Sequence, residues 1–68
     1  MKTSVVAVTG GNFNIHSEHA EVNAAIVEYH GYCKALWNDP DTTEAMVAIM
    51  DENLDVVGRY KEYIYKET

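Results

Sequence analysis

The sequence predicts a small α+β domain built as hairpin, helix, hairpin (ββαββ), an antiparallel sheet packed on one helix. Three observations predict it. A valine-rich run is interrupted by Gly10-Gly11, apolar residues recur at helical spacing from Val22 to Leu36, and two further apolar runs flank the acidic turn Asp51 to Asp55. At 68 residues the chain reads as one domain, 1–68. A domain of this size buries only about 60% of its unfolded surface.

Ser4 to Thr9 and Asn12 to His16 form the first hairpin, with Gly10-Gly11 as a two-residue turn. If Thr9 faces Asn12, then Val8 faces Phe13, Ala7 faces Asn14 and Val6 faces Ile15. Val6, Val8, Phe13 and Ile15 then share one face, and Ala7, Asn14, Thr9 and Asn12 take the other, wetter one. Ser17 is the expected N-cap, with Glu18 and Glu21 in the first turn of a helix reaching about Trp37. Its apolar stripe is Val22, Ile26, Tyr29, Cys33 and Leu36, widened by Ala25 and Tyr32. Gly31 inside the helix hints at a close backbone approach or a bend, and Asn38-Asp39-Pro40-Asp41 ends the helix. Glu44 to Met50 reads as a strand, Asp51 to Asp55 as a turn and Val56 to Tyr65 as a return strand. Val57, Tyr60 and Ile64 also fall at helical spacing, which leaves a terminal helix as the alternative.

A hydrophobic share of 47% with 24% charged residues belongs to a chain that folds. One cysteine permits no intrachain disulfide and no Cys/His spacing repeats, so oligomerisation is the remaining way to reinforce so small a core. A net charge of -6 repels phosphate backbones, and Lys2, Lys34, Arg59, Lys61 and Lys66 are scattered, which argues against nucleic acid as a partner. The run Val5 to Val8 is too short for a signal peptide, and no apolar stretch approaches the roughly 20 residues of a membrane span. The expectation is a cytoplasmic protein with no membrane partner, and the lone cysteine agrees with a reducing compartment.

The run His19-Ala20-Glu21-Val22-Asn23-Ala24 carries H-x-E, and Gly11-Asn12-Phe13-Asn14 precedes it. Over residues 4–51 this resembles the N-terminal half of cytidine and deoxycytidylate deaminases. The resemblance implies a zinc-ligand position at His19, a proton-shuttle position at Glu21 and nucleoside contacts at Asn12 and Asn14. The family's P-C-x-x-C is absent, because Cys33 and Pro40 are the only residues of their kinds and Val56-Val57-Gly58-Arg59-Tyr60 stands where that motif is expected. Catalytic zinc uses three protein ligands, so no catalytic residue, metal or cofactor is assigned. The same hexapeptide also reads as ordinary helix-start composition.

Asp51, Asn53, Asp55 and Glu62 match positions 1, 3, 5 and 12 of a calcium loop, but Val56 takes the position that needs glycine, so this reads as an acidic turn. His19 and His30 stand about 16 Å apart along a helix and cannot share an ion. Cys33 on the apolar stripe reads as an inert core thiol. On the last strand Val56, Tyr60 and Ile64 would face one side and Val57, Tyr63 and Tyr65 the other, uncovered one, with Trp37 adding to the patch. Trp37, Val57, Tyr63 and Tyr65 are therefore the candidate interface of a non-catalytic protein-interaction or self-associating domain, most simply a homodimer. The alternative is a deaminase-fold relative that binds a nucleoside or regulates a full-length partner enzyme. A strand over residues 56–66 favours the first reading, and a helix favours the second.

Overall fold

Two glycines in the left-handed region, Gly10 at φ 56° and Gly11 at φ 82°, close the first hairpin with the twist that paired strands require. They join β1 (Thr3–Thr9) to β2 (Asn12–His19) in a computed structural model that describes residues 2–66. The pairs are those expected: Thr9 with Asn12, Val8 with Phe13, Ala7 with Asn14 and Val6 with Ile15. The register then shifts, so that Val5 pairs with Ser17 and His16 is the extra residue of a bulge. Past the bulge the ladder continues through Ser4–Glu18 and Thr3–His19, and the Thr3 hydroxyl donates to the His19 carbonyl at 3.3 Å.

This continuation corrects the expected helix start. Ser17 and His19 are strand residues, and α1 runs from Val22 to Asn38 with Glu21 as an N-cap of extended backbone and no side-chain capping bond. A cap satisfies one donor, whereas three further ladder positions opposite Thr3, Ser4 and Val5 satisfy several, so the strand wins. At the other end Asp39 accepts from the Asp41 N–H at 3.0 Å and the Thr42 hydroxyl at 2.9 Å, and these bonds hold its carboxyl below the usual range. The last turn has no basic residue of its own. Lys66 supplies the cation from 30 residues away, its Nζ donating to the Leu36 and Asp39 carbonyls, each at 2.6 Å.

Residues Glu44–Asp51 form β3 and Val56–Tyr65 form β4, paired antiparallel, so the C-terminal segment is a strand and the ββαββ order stands. In the connecting turn the Asp51 carboxylate accepts from the N–H groups of Asn53 and Asp55 at 2.8 and 3.1 Å. The sheet order is β2-β1-β3-β4. Since β2 and β3 are both antiparallel to β1, they run in the same direction, and α1 connects them across β1.

Under α1 lie Val5, Ala7, Ala45, Val47, Ile49 and Ile64, packed against Ala25, Tyr29, Cys33 and Leu36. The side of Ala7 is thus the core side, contrary to the expectation that it is the wetter one. Ala7 and Ala45 stand there beside Val5, Val47, Ile49 and Ile64, and Tyr29 and Leu36 of α1 pack against them. Gly31 answers to no close approach: it is exposed, and a Cβ there would meet nothing within 4 Å. Among the described residues no helix is long and apolar enough to cross a membrane.

Candidate functional site

Among the described residues the other side of the sheet carries no helix, and pairing across all four strands lays it out in rows. One row runs Phe13-Val8-Met46-Tyr63, the next Ile15-Val6-Ala48-Lys61, and the third Glu18-Ser4-Met50-Val56. Glu44 and Tyr65 pair beyond the first row. Along the edges Phe13 is 52% exposed, Ile15 55%, Tyr63 58% and Tyr65 59%, while Val6 and Ala48 in the middle are exposed by only 2% and 1%. The flanking side chains alone close over the centre. Tyr63 and Tyr65 stack with ring centroids 6.4 Å apart. The Tyr63 hydroxyl donates to the Glu44 carboxylate, and that bond pushes its pKa up.

Of the four candidate interface residues, the structure brings Tyr63 and Tyr65 together on this face and removes the other two from it. Val57 packs against the core instead, which corrects its expected side. The cause is an irregularity in β4: Met50 pairs with Val56 and Ala48 with Lys61, so four residues of β4 span what one residue of β3 spans. Gly58, at φ 56°, makes that bend and turns Val57 and Tyr60 toward the helix side. Trp37 sits at the end of α1, where its indole N–H donates to Glu62 at 2.7 Å, and Glu62 pairs with Val47 on the covered side. Phe13, Ile15, Met46, Met50 and Lys61 join the face without having been singled out. Their signal was present: Val5 to Val8 and Ala45 to Met50 are unbroken apolar runs, and an antiparallel strand apolar at every position has two faces to cover.

The positions that the resemblance points to are dispersed. Asn12 and Asn14 lie at the hairpin end of β2 and His19 at its opposite end, about 20 Å from Asn12 at strand spacing. Glu21 is exposed at the helix N-cap. A ring nitrogen of His19, Nε2, lies 2.9 Å from the Ser17 hydroxyl, beside a shallow recess of about 360 Å³ lined by Lys2, Glu18, His19 and Ala20. No partner is bonded to its other nitrogen among the described residues. The donors do not fit zinc either, since no three of His, Cys, Asp and Glu converge among the described residues. His16, the bulge residue, stacks on Tyr32 at 3.8 Å and meets Glu28 at 2.7 Å, clasping β2 to the helix. Cys33 is buried, and desolvation, aided by the nearby Glu62 charge, pushes its thiol up to about 11, away from thiolate chemistry.

The chain matches no protein-family model, no curated protein and no solved structure. Function therefore rests on the geometry alone.

Proposed function

We propose that this chain is a small, acidic, non-catalytic interaction domain, acting in the cytoplasm, whose working surface is the open face of its sheet. The observation that carries the proposal is the four-strand apolar face with half-exposed Phe13, Ile15, Tyr63 and Tyr65 at its two edges. At these exposures, with Val56 added, the edge side chains alone present on the order of 600 Å², at the upper end of what monomers leave to solvent in one patch. Aromatic enrichment with few charges at the centre is the composition of an interface core. The strand over 56–65 supports this reading over the nucleoside-binding alternative, because it completes the face.

The test replaces Tyr63 and Tyr65 together by serine. The expected result is loss of association, with itself or with a partner co-purified from its own cells, while the far-ultraviolet circular dichroism and the urea midpoint of the isolated chain stay put. Associations that are identical with and without the tyrosines would overturn it.

A further inference from the structure

We infer that the open face docks a basic, apolar segment of another protein, and that Glu44, Tyr63 and Tyr65 at one corner take an arginine side chain of that segment. This rests on the reading of the open face as an interaction surface and adds to it the chemistry of the partner.

Charge selects the occupant. Glu44 stands beyond the first row, Glu18 ends the third, and Asp51 and Glu52 join Glu18 around a recess of about 230 Å³ at that end of the face. Against these four carboxylates stand Lys61, at the β4 end of the middle row, and Lys2, which is already paired with Glu18 at 3.2 Å. The face is thus apolar at its centre and net negative at both ends. A second copy of a chain with net charge -6, a nucleic acid or an anionic membrane surface would each bring like charge to it. A segment with apolar residues between cationic ends complements it throughout.

The corner around Glu44 says which cation. Glu44 lies directly opposite Tyr65 in the ladder of β3 and β4 and accepts a hydrogen bond from the Tyr63 hydroxyl, so one carboxylate oxygen is held beside two tyrosines. The other oxygen, Oε1, has no hydrogen-bond partner among the described residues. The Tyr63 and Tyr65 rings are nearly parallel, at 11° with centroids 6.4 Å apart, and both are half-exposed. Beside them Val8 and Met46 line a recess of about 210 Å³ together with Glu44 and the Gly10-Gly11 turn. A flat cation here lies on a tyrosine ring and donates to the carboxylate, while its aliphatic stem rests on Val8 and Met46. Guanidinium does both, whereas the ammonium of lysine is a compact, strongly hydrated charge with no plane to stack.

Length follows from the strand. From Glu44 to Asp51 along β3 is about 23 Å at strand spacing, which an extended segment of about seven residues spans.

The experiment uses the full chain and a fluorescein-labelled peptide of about nine residues, an arginine pair at each end and leucine alternating with serine between them, titrated by anisotropy in about 0.15 M salt. Comparison peptides carry lysine for arginine, glutamate for arginine, or serine for leucine. The arginine-leucine peptide is expected to bind, the lysine peptide roughly threefold more weakly, and the other two at least about tenfold more weakly. Glu44→Gln, whose amide still accepts from Tyr63, weakens the arginine peptide roughly fivefold and erases its advantage over the lysine one, a change that a merely structural role would not bring. Lys61→Glu tightens binding, and Glu28→Gln on the helix side, whose amide can still bond His16, leaves it unchanged.

Equal affinity for the arginine and glutamate peptides, or for the leucine and serine ones, overturns the basic, apolar partner, as does failure of every peptide to bind. A self-association of the chain that competes with the peptide makes a second copy the occupant and overturns it too. A preference for arginine over lysine that survives Glu44→Gln overturns the corner. In each case the reading of the face as an interaction surface is judged separately, by the replacement of Tyr63 and Tyr65, which changes no charge.

Discussion

On the helix side of the sheet Val5, Val47 and Ile49 are sealed beneath α1, and on the opposite side Val6 and Ala48 are almost as fully buried with no second layer above them. The two faces reach the same burial at their centres by different means. One is closed by a separate element that brings Tyr29 and Leu36 down onto the sheet, and the other is closed by its own large edge side chains. The difference teaches that hydrophobicity does not by itself decide which face the helix takes, since both are apolar. The face left over keeps Phe13, Tyr63 and Tyr65 half-exposed, and it is on these that the proposed binding rests.

The strongest way to break this comparison is to truncate one isoleucine on each side. Ile49→Ala, at a fully buried site under α1, is expected to cost about 2–5 kcal/mol, enough to unfold much of a domain this small. Ile15→Ala, at a site 55% exposed, is expected to cost the isolated chain less than about 1 kcal/mol and to act on association instead. Urea titration followed by the fluorescence of the single tryptophan, Trp37, measures both at low protein concentration. Equal losses would mean that the open face is already as tightly packed as the core, and the distinction would collapse.

Much of this architecture was legible in the sequence. The Gly10-Gly11 turn with its cross-strand register, the helix stop at Pro40 and the Asp51 to Asp55 turn each depend on local chemistry, which a sequence displays. What escaped depends on partners distant in the chain. The helix begins at Val22 instead of near Ser17 because β1 offers pairing positions 12 to 16 residues upstream. Val57 changes sides because three extra residues are absorbed in β4, an event that strict alternation cannot register. The covered face could not be told from the open one, since both are apolar and the choice rests on how α1 fits. As for the site, Tyr63 and Tyr65 were visible as exposed aromatics, whereas Phe13 and Ile15 looked like core until the helix was seen on the other side.

Alkaline pH separates the two faces by the titration of their buried groups. Under α1 desolvation, chiefly, raises Cys33 from its ordinary 9.0 to about 11 and Tyr29 from 10.0 to about 12, so the folded chain holds protons that the unfolded chain has released. Raised folded values make this contribution complete below the unfolded pKa values and lost as pH climbs through the folded ones, so stability falls from about pH 9 upward. Tyr63 on the open face is raised chiefly by its hydrogen bond to Glu44, with burial a lesser cause. The urea midpoint between about pH 8 and pH 11 is expected to drop. Cys33→Ala is expected to delay the onset of the drop toward the range where Tyr29 titrates. A flat midpoint, or an onset unmoved by that substitution, would show that the covered face is not sealing these groups from water.

A further substitution tests how one strand serves both faces. Gly58 at φ 56° lets β4 send Val57 and Tyr60 to the helix and Lys61, Tyr63 and Tyr65 to the open side. A Cβ there would lie 3.6 Å from the Tyr60 ring, an ordinary contact, so Gly58→Ala brings only the backbone cost of the left-handed region, about 1–2 kcal/mol. Part of that cost can be escaped by straightening the strand, which would expose Val57 and shift the registry of Lys61 against Ala48. The comparison therefore sharpens on which response occurs. Loss of about 1 kcal/mol with association intact means that the bend persists under strain, held by the core contacts of Val57 and Tyr60. A smaller loss accompanied by weakened association means that the bend is held by glycine alone, and that the open face owes its registry to a single residue on the edge strand.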